Sequence, residues 1–171
     1  MNVTRNLLAP IIASGLAVTA LAQFSGPAPL AWRWTQSTKI SPGGATAPVG
    51  SNLAVAVGGR IYLVDQATGN TIWRFPSGAP LESGSFTTGV TVTDNLVIAA
   101  TDNRVVYGID IKSGEMKWQH LSTERLVAAP AVAGKFLAIQ LGDGSVNVIR
   151  QEDGTPVWDA PLRFFNGLVG S

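Results

Sequence analysis

The chain of 171 residues is 46% hydrophobic and 13% charged, with a formal net charge of +1. That is one medium-sized domain, or one plus an appendage, with enough apolar side chains to build a core. No Lys/Arg cluster stands out, so nucleic acid is not expected as a partner, because phosphate binding needs concentrated positive charge. The sequence has no cysteine, which removes disulfides, thiolate metal sites, cysteine nucleophiles and the Cys that a lipoprotein anchor needs.

In chain order, the first element is apolar. Arg5 is followed by an uncharged run from Leu7 to Leu21, and small residues at 20 to 22 have the spacing that a signal peptidase reads. Leu7 to Phe24 would span roughly 27 Å as a helix, close to the thickness of a bilayer core. Ala9, Ala13 and Ala17 recur every four residues. On a helix they form a small-residue stripe against which a second membrane helix can pack. The expectation is an uncleaved signal anchor over 1–24 that leaves Arg5 in the cytoplasm, with a cleaved signal peptide as the alternative. A linker, "SGPAP", fills 25–29.

From residue 30 the sequence reads as β structure. Nineteen Gly and ten Pro punctuate runs of Val, Ile and Thr, the composition of an all-β chain rich in turns. Three rows then repeat, at 46 to 75, 87 to 120 and 128 to 160, each parsing into four strands. In the first row these are "APV", "NLAVAV", "RIYLVD" and a strand carrying Trp73. The inner turns "GG" at 58 to 59, "TDN" at 101 to 103 and "GDG" at 142 to 144 hold residues suited to positive φ. The anchors Trp73, Trp118 and Trp158 set a period of 40 to 45 residues. Short strands on that period indicate propeller blades and not a helical solenoid.

Each row ends on one phrase: "DQATGNTIW", "DIKSGEMKW" and "RQEDGTPVW". Gly69, Gly114 and Gly154 are expected where a side chain would strain the backbone. Asp65 and Asp110 are placed to accept hydrogen bonds from turn N–H groups, while the third copy has Arg150 instead. The tryptophans are expected to wedge between blades, where one ring buries 150 to 250 Å² as a rule. Trp32, in "LAWRW", aligns with Trp73 as a further fourth-strand equivalent.

The pattern Asp-x-x-[Thr/Ser]-Gly-x-x-x-Trp resembles the tryptophan-docking repeat of the PQQ-like β-propellers. That superfamily includes quinoprotein alcohol dehydrogenases and a propeller lipoprotein of outer-membrane assembly. The resemblance covers 30–171 and implies an all-β partial, open propeller of three four-stranded antiparallel blades after one N-terminal transmembrane or signal helix. Family rings close with seven or eight blades, and this sequence shows three rows plus two orphan strands. The quinoprotein enzymes hold PQQ with a metal ion, a catalytic Asp and often a Cys pair, and none of those residues maps onto this chain.

His120, two residues after Trp118, reads as an outer-strand residue, and a lone His with no Cys makes a poor zinc site. No catalytic, cofactor-binding or metal-binding residue is assigned, and no cofactor or small-molecule substrate is expected. The expected function is a non-enzymatic, membrane-anchored accessory subunit. Its exported, periplasmic propeller would dock on other protein subunits and stabilise a larger membrane complex. The alternatives are a fragment of a longer PQQ-dependent oxidoreductase, or a scaffold in outer-membrane protein assembly, against which the missing lipoprotein Cys counts.

Overall fold

The computed structural model describes residues 40–157 and 162–163. They fold as three four-stranded antiparallel sheets, and among the described residues all helices long and apolar enough to cross a membrane are lacking. The expected helix over 1–24, its Ala9, Ala13 and Ala17 stripe, the linker, Trp32 and Trp158 lie outside the described residues.

Blade 1 comprises β1 (Ala47–Val49), β2 (Asn52–Val57), β3 (Arg60–Asp65) and β4 (Thr71–Phe75). Blade 2 comprises β5 (Phe86–Val92), β6 (Leu96–Thr101), β7 (Val105–Asp110) and β8 (Met116–Leu121). Blade 3 comprises β9 (Ala131–Ala133), β10 (Phe136–Gln140), β11 (Ser145–Arg150) and the short β12 (Leu162–Arg163). Each sheet keeps its strands in sequence order, as a meander joined by tight turns must. The positive-φ residues of the inner turns are Gly58, Arg104 and Gly144, so in blade 2 the strained position falls one residue beyond the expected "TDN".

Burial follows from the stacking. Strands β2 and β10 alternate, with Ala54, Ala56, Leu137 and Ile139 buried between less buried neighbours. Strand β6 is buried at every position from Leu96 to Thr101. A sheet covered on one face needs an alternating strand, and one covered on both faces takes a continuous apolar run. Among the described residues the middle blade is the one covered twice, and "LVIAAT" is written for it. Two core clusters result, which we call seams. The first joins blades 1 and 2 around Ile61, Leu63, Phe86 and Ile109. The second joins blades 2 and 3 around Ile98, Val106, Leu137 and Ile149.

The expected fourth strand of the third blade runs through Trp158, and residues 158–161 lie outside the described residues. On either side of them β11 is paired: Leu162 and Arg163 lie opposite Val146 and Ser145, Ile149 bridges Pro156, and the Val157 N–H donates to the Val148 carbonyl at 2.8 Å. The positions equivalent to Pro156 in the other blades are Thr71 and Met116, both inside continuous strands.

Candidate functional site

The repeated phrase builds a turn and a socket. In the first copy Asp65 Oδ1 accepts hydrogen bonds from the Ala67 N–H at 3.0 Å, the Thr68 N–H at 2.8 Å and the Thr68 hydroxyl at 2.8 Å. In the second, Asp110 Oδ1 accepts from the Lys112 and Ser113 N–H groups, both at 2.9 Å. Donors aimed at a carboxylate favour its charged form. The Thr68 hydroxyl and N–H therefore hold the Asp65 carboxyl below its ordinary range. The Ser113 and Lys112 N–H groups, with Lys117 beside them, bring Asp110 to about 2. The third copy has Arg150 at this position, and its Asp153 stands where the other copies have Thr68 and Ser113, whose hydroxyls accept from the Asn70 and Glu115 N–H groups. Asp153 Oδ1 takes the Thr155 N–H at 2.9 Å and the Thr155 hydroxyl at 2.7 Å. Despite that exchange all three turns close alike, with the Gly69, Gly114 and Gly154 N–H groups donating to the carbonyls of residues 65, 110 and 150 at 2.8 to 3.0 Å.

Each socket receives the tryptophan of the blade before it. The Trp73 indole N–H donates to the Ile111 carbonyl across the first seam at 3.0 Å. The Trp118 indole donates to the Gln151 carbonyl across the second at 2.8 Å. Gly114 and Gly154 have φ of +73° and +70°, where a side chain is already strained. They also form the floor of the socket: a Cβ on Gly114 would lie 2.7 Å from the Trp73 ring, and one on Gly154 2.6 Å from the Trp118 ring. Sequence reasoning found the backbone demand and missed the ring resting on each glycine. Both tryptophans reach this position through an extra residue in their strands, Ile72 and Lys117, where the register shifts.

Beyond the shared socket the two seams diverge. In the first, Phe75 and Phe86 both pack on Tyr107, with ring centroids 5.5 and 5.7 Å away. The strand registers place His120 where blade 1 has Phe75, Asn147 where blade 2 has Tyr107, and Leu126 where blade 2 has Phe86. His120 is half-buried; burial pushes its imidazole down from 6.5, and a hydrogen bond to the Gly154 backbone opposes that shift. Asn147 Oδ1 is buried with no hydrogen-bond partner among the described residues. His120 lies on the outer strand β8, as the sequence reading has it, and there it faces the seam.

Above the second seam lies a cleft of about 990 Å³ between the turns of blades 2 and 3. Lys117, Lys135, Arg150 and Phe136 line it, together with Asp94 and Glu152. Phe136 is 40% exposed. Lys117 pairs with Asp110 at 3.4 Å, the one ion pair among the described residues. No group of three or more His, Asp or Glu side chains gathers there as a metal site. The arrangement is a groove with charges and one aromatic ring around it, chemistry suited to surface recognition.

A family model described as outer membrane protein assembly factor BamB matches residues 17–167. The chain belongs to this family. A BamB of Bordetella pertussis is 25% identical over 141 residues, covering 81% of this chain and 35% of the relative. The crystal structure of BamB from Moraxella catarrhalis superposes with a TM-score of 0.63 at 24% identity, covering 77% of this chain and 39% of the other. The quinohemoprotein alcohol dehydrogenase of Comamonas testosteroni, at 16% identity and a TM-score of 0.58 over 70% of this chain and 21% of the enzyme, shares the fold alone. The chain thus spans about a third of the length of the Bordetella relative. The PQQ-like propeller resemblance drawn from the repeated phrase is borne out by this family match.

Proposed function

We propose that the protein is a non-enzymatic scaffold working in outer-membrane protein assembly, with its β domain on the periplasmic side and other proteins as its partners. The observation that carries this reading is the family match over residues 17–167. The chemistry of the repeat supports it: the residues that recur in the phrase are spent on closing turns and seating rings. What remains on the surface is a groove suited to contact. A fold of this kind hosts many activities, so the function lives in the surface placed on it.

Among the readings the sequence allows, the family match favours the assembly scaffold over an accessory subunit of some other membrane complex. It outweighs the missing lipoprotein Cys, because a chain can reach a membrane complex through a protein partner. Attachment by the N-terminal apolar segment belongs to the proposal on the strength of Leu7 to Leu21 alone.

The test is isolation of the intact protein from membranes in mild detergent, followed by mass spectrometry of what accompanies it. Co-migration with an outer-membrane β-barrel assembly complex is expected. Migration as a free 17.8 kDa monomer, or co-isolation with a PQQ-loaded dehydrogenase, would overturn the reading.

A further inference from the structure

We infer that the mouth of the second seam recognises an acidic segment of a protein partner, in which carboxylates alternate with apolar side chains. The inference rests on the scaffold reading and names the chemistry of the partner.

It comes from comparing the repeat with itself. At the mouth of the first seam the repeat places Asp65, Ile72, Asn95, Asp110 and Lys112. The corresponding residues of the second mouth are Asp110, Lys117, Lys135, Arg150 and Glu152. An isoleucine, an asparagine and an aspartate have given way to three cations, against one lysine exchanged for a glutamate. The turn itself did not require this. Arg150 occupies the position of the capping aspartate, and the turn closes without that cap through the Gly154 N–H and the Arg150 carbonyl, so this position brings a guanidinium, with Asp153 near it, to the cleft.

The three cations are not equivalent. Lys117 is held by Asp110 at 3.4 Å. Lys135 and Arg150 have no ion pair among the described residues, and both are exposed at the cleft. An arginine fork binds a carboxylate in two parallel hydrogen bonds, and an adjacent ammonium adds attraction without geometric demand. Phe136, next to Lys135, presents an exposed ring to the same cleft, a surface for the apolar residue beside the carboxylate. Asp94 and Glu152 at the rim disfavour a segment of uniform negative charge such as a polyanion, and favour one in which charges are spaced by apolar residues.

The experiment is fluorescence anisotropy of the full chain with a labelled peptide of alternating Glu and Leu. A peptide of alternating Lys and Leu and anionic phosphatidylglycerol vesicles serve as the competing arms. The acidic peptide is expected to bind, and to weaken as salt rises, because exposed pairs are screened. Arg150→Asp restores the residue of the first two turns, so the fold is retained, and it should lower affinity by about tenfold, as loss and reversal of a rim charge do. Lys135→Asn, which installs the residue of the first mouth, should lower it severalfold. Lys112→Asn at the first mouth should leave it unchanged. Equal binding of the basic peptide, binding to vesicles and not to the peptide, or full affinity in the Arg150→Asp protein overturns the inference. If the peptide does not bind but the intact protein still co-isolates with an assembly complex, the site fails and the scaffold reading stands.

Discussion

The two seams use the same socket and different walls. Trp73 and Trp118 each rest on a glycine of the next blade and donate one hydrogen bond to its turn. Around the first, Phe75 and Phe86 pack on Tyr107, one tilted and one edge-on, as an aromatic wall. Around the second, His120 and Asn147 stand in two of those places, one half-buried and the other carrying a buried oxygen without a hydrogen-bond partner among the described residues. A repeat can therefore hold its geometry with one device and vary its strength with another. The first seam is built for cohesion. The second is less cohesive, and its mouth carries the cations.

The largest effect should come from removing the shared device. Trp73→Ala and Trp118→Ala are each expected to cost about 3–5 kcal/mol in urea unfolding, the usual range for a large buried aromatic. Trp73→Ala should be the more costly, because it also opens the aromatic wall. Equal losses would show that the walls contribute nothing to the difference.

Filling the sockets should come next. Gly114→Ala and Gly154→Ala force a side chain into a left-handed backbone and into a ring less than 3 Å away. Together strain and overpacking should cost about 2–4 kcal/mol. Full stability in either variant would mean that the rings shift aside freely.

Exchanging the walls gives a smaller effect, with opposite signs at the two seams. Tyr107→Asn should destabilise the first seam by about 2 kcal/mol through loss of two ring contacts and an unpaired amide. His120→Phe combined with Asn147→Tyr should stabilise the second by about 1 kcal/mol, and the two changes should couple because their positions face each other across the seam. Chemical denaturation of the single and double variants checks both.

The phrase ending in tryptophan made the blades legible, since Asp, Gly and Trp each answer a local demand that spacing reveals. The inner strands were legible for the same reason; "RIYLVD" and "SVNVIR" fall on β3 and β11 as read. The seam walls were not. Tyr107 and Asn147 correspond only once the register of β7 and β11 is known, and His120 then takes its meaning from Phe75, forty-five residues earlier. The mouth was hidden likewise, because Lys117, Lys135 and Arg150 are scattered in sequence and meet only when two turns face each other. Replacement of a capping Asp by Arg150 was visible as a lapse in the repeat.

The central claim is that the second seam is the softer one, and the two indole N–H groups report on it directly. Hydrogen exchange of the Trp73 and Trp118 indoles, followed by NMR on the full chain, compares the seams within one molecule. Burial favours the neutral form of His120 in the folded state, so protonation works against the seam. Stability from this group is present above its unfolded value of 6.5 and is lost as pH falls below it. The account predicts that Trp118 exchanges faster than Trp73 near neutrality, and that the ratio of their rates widens on moving from about pH 7 to about pH 5.5. A Trp118 indole as slow as Trp73, at a ratio unmoved by acid, would contradict it.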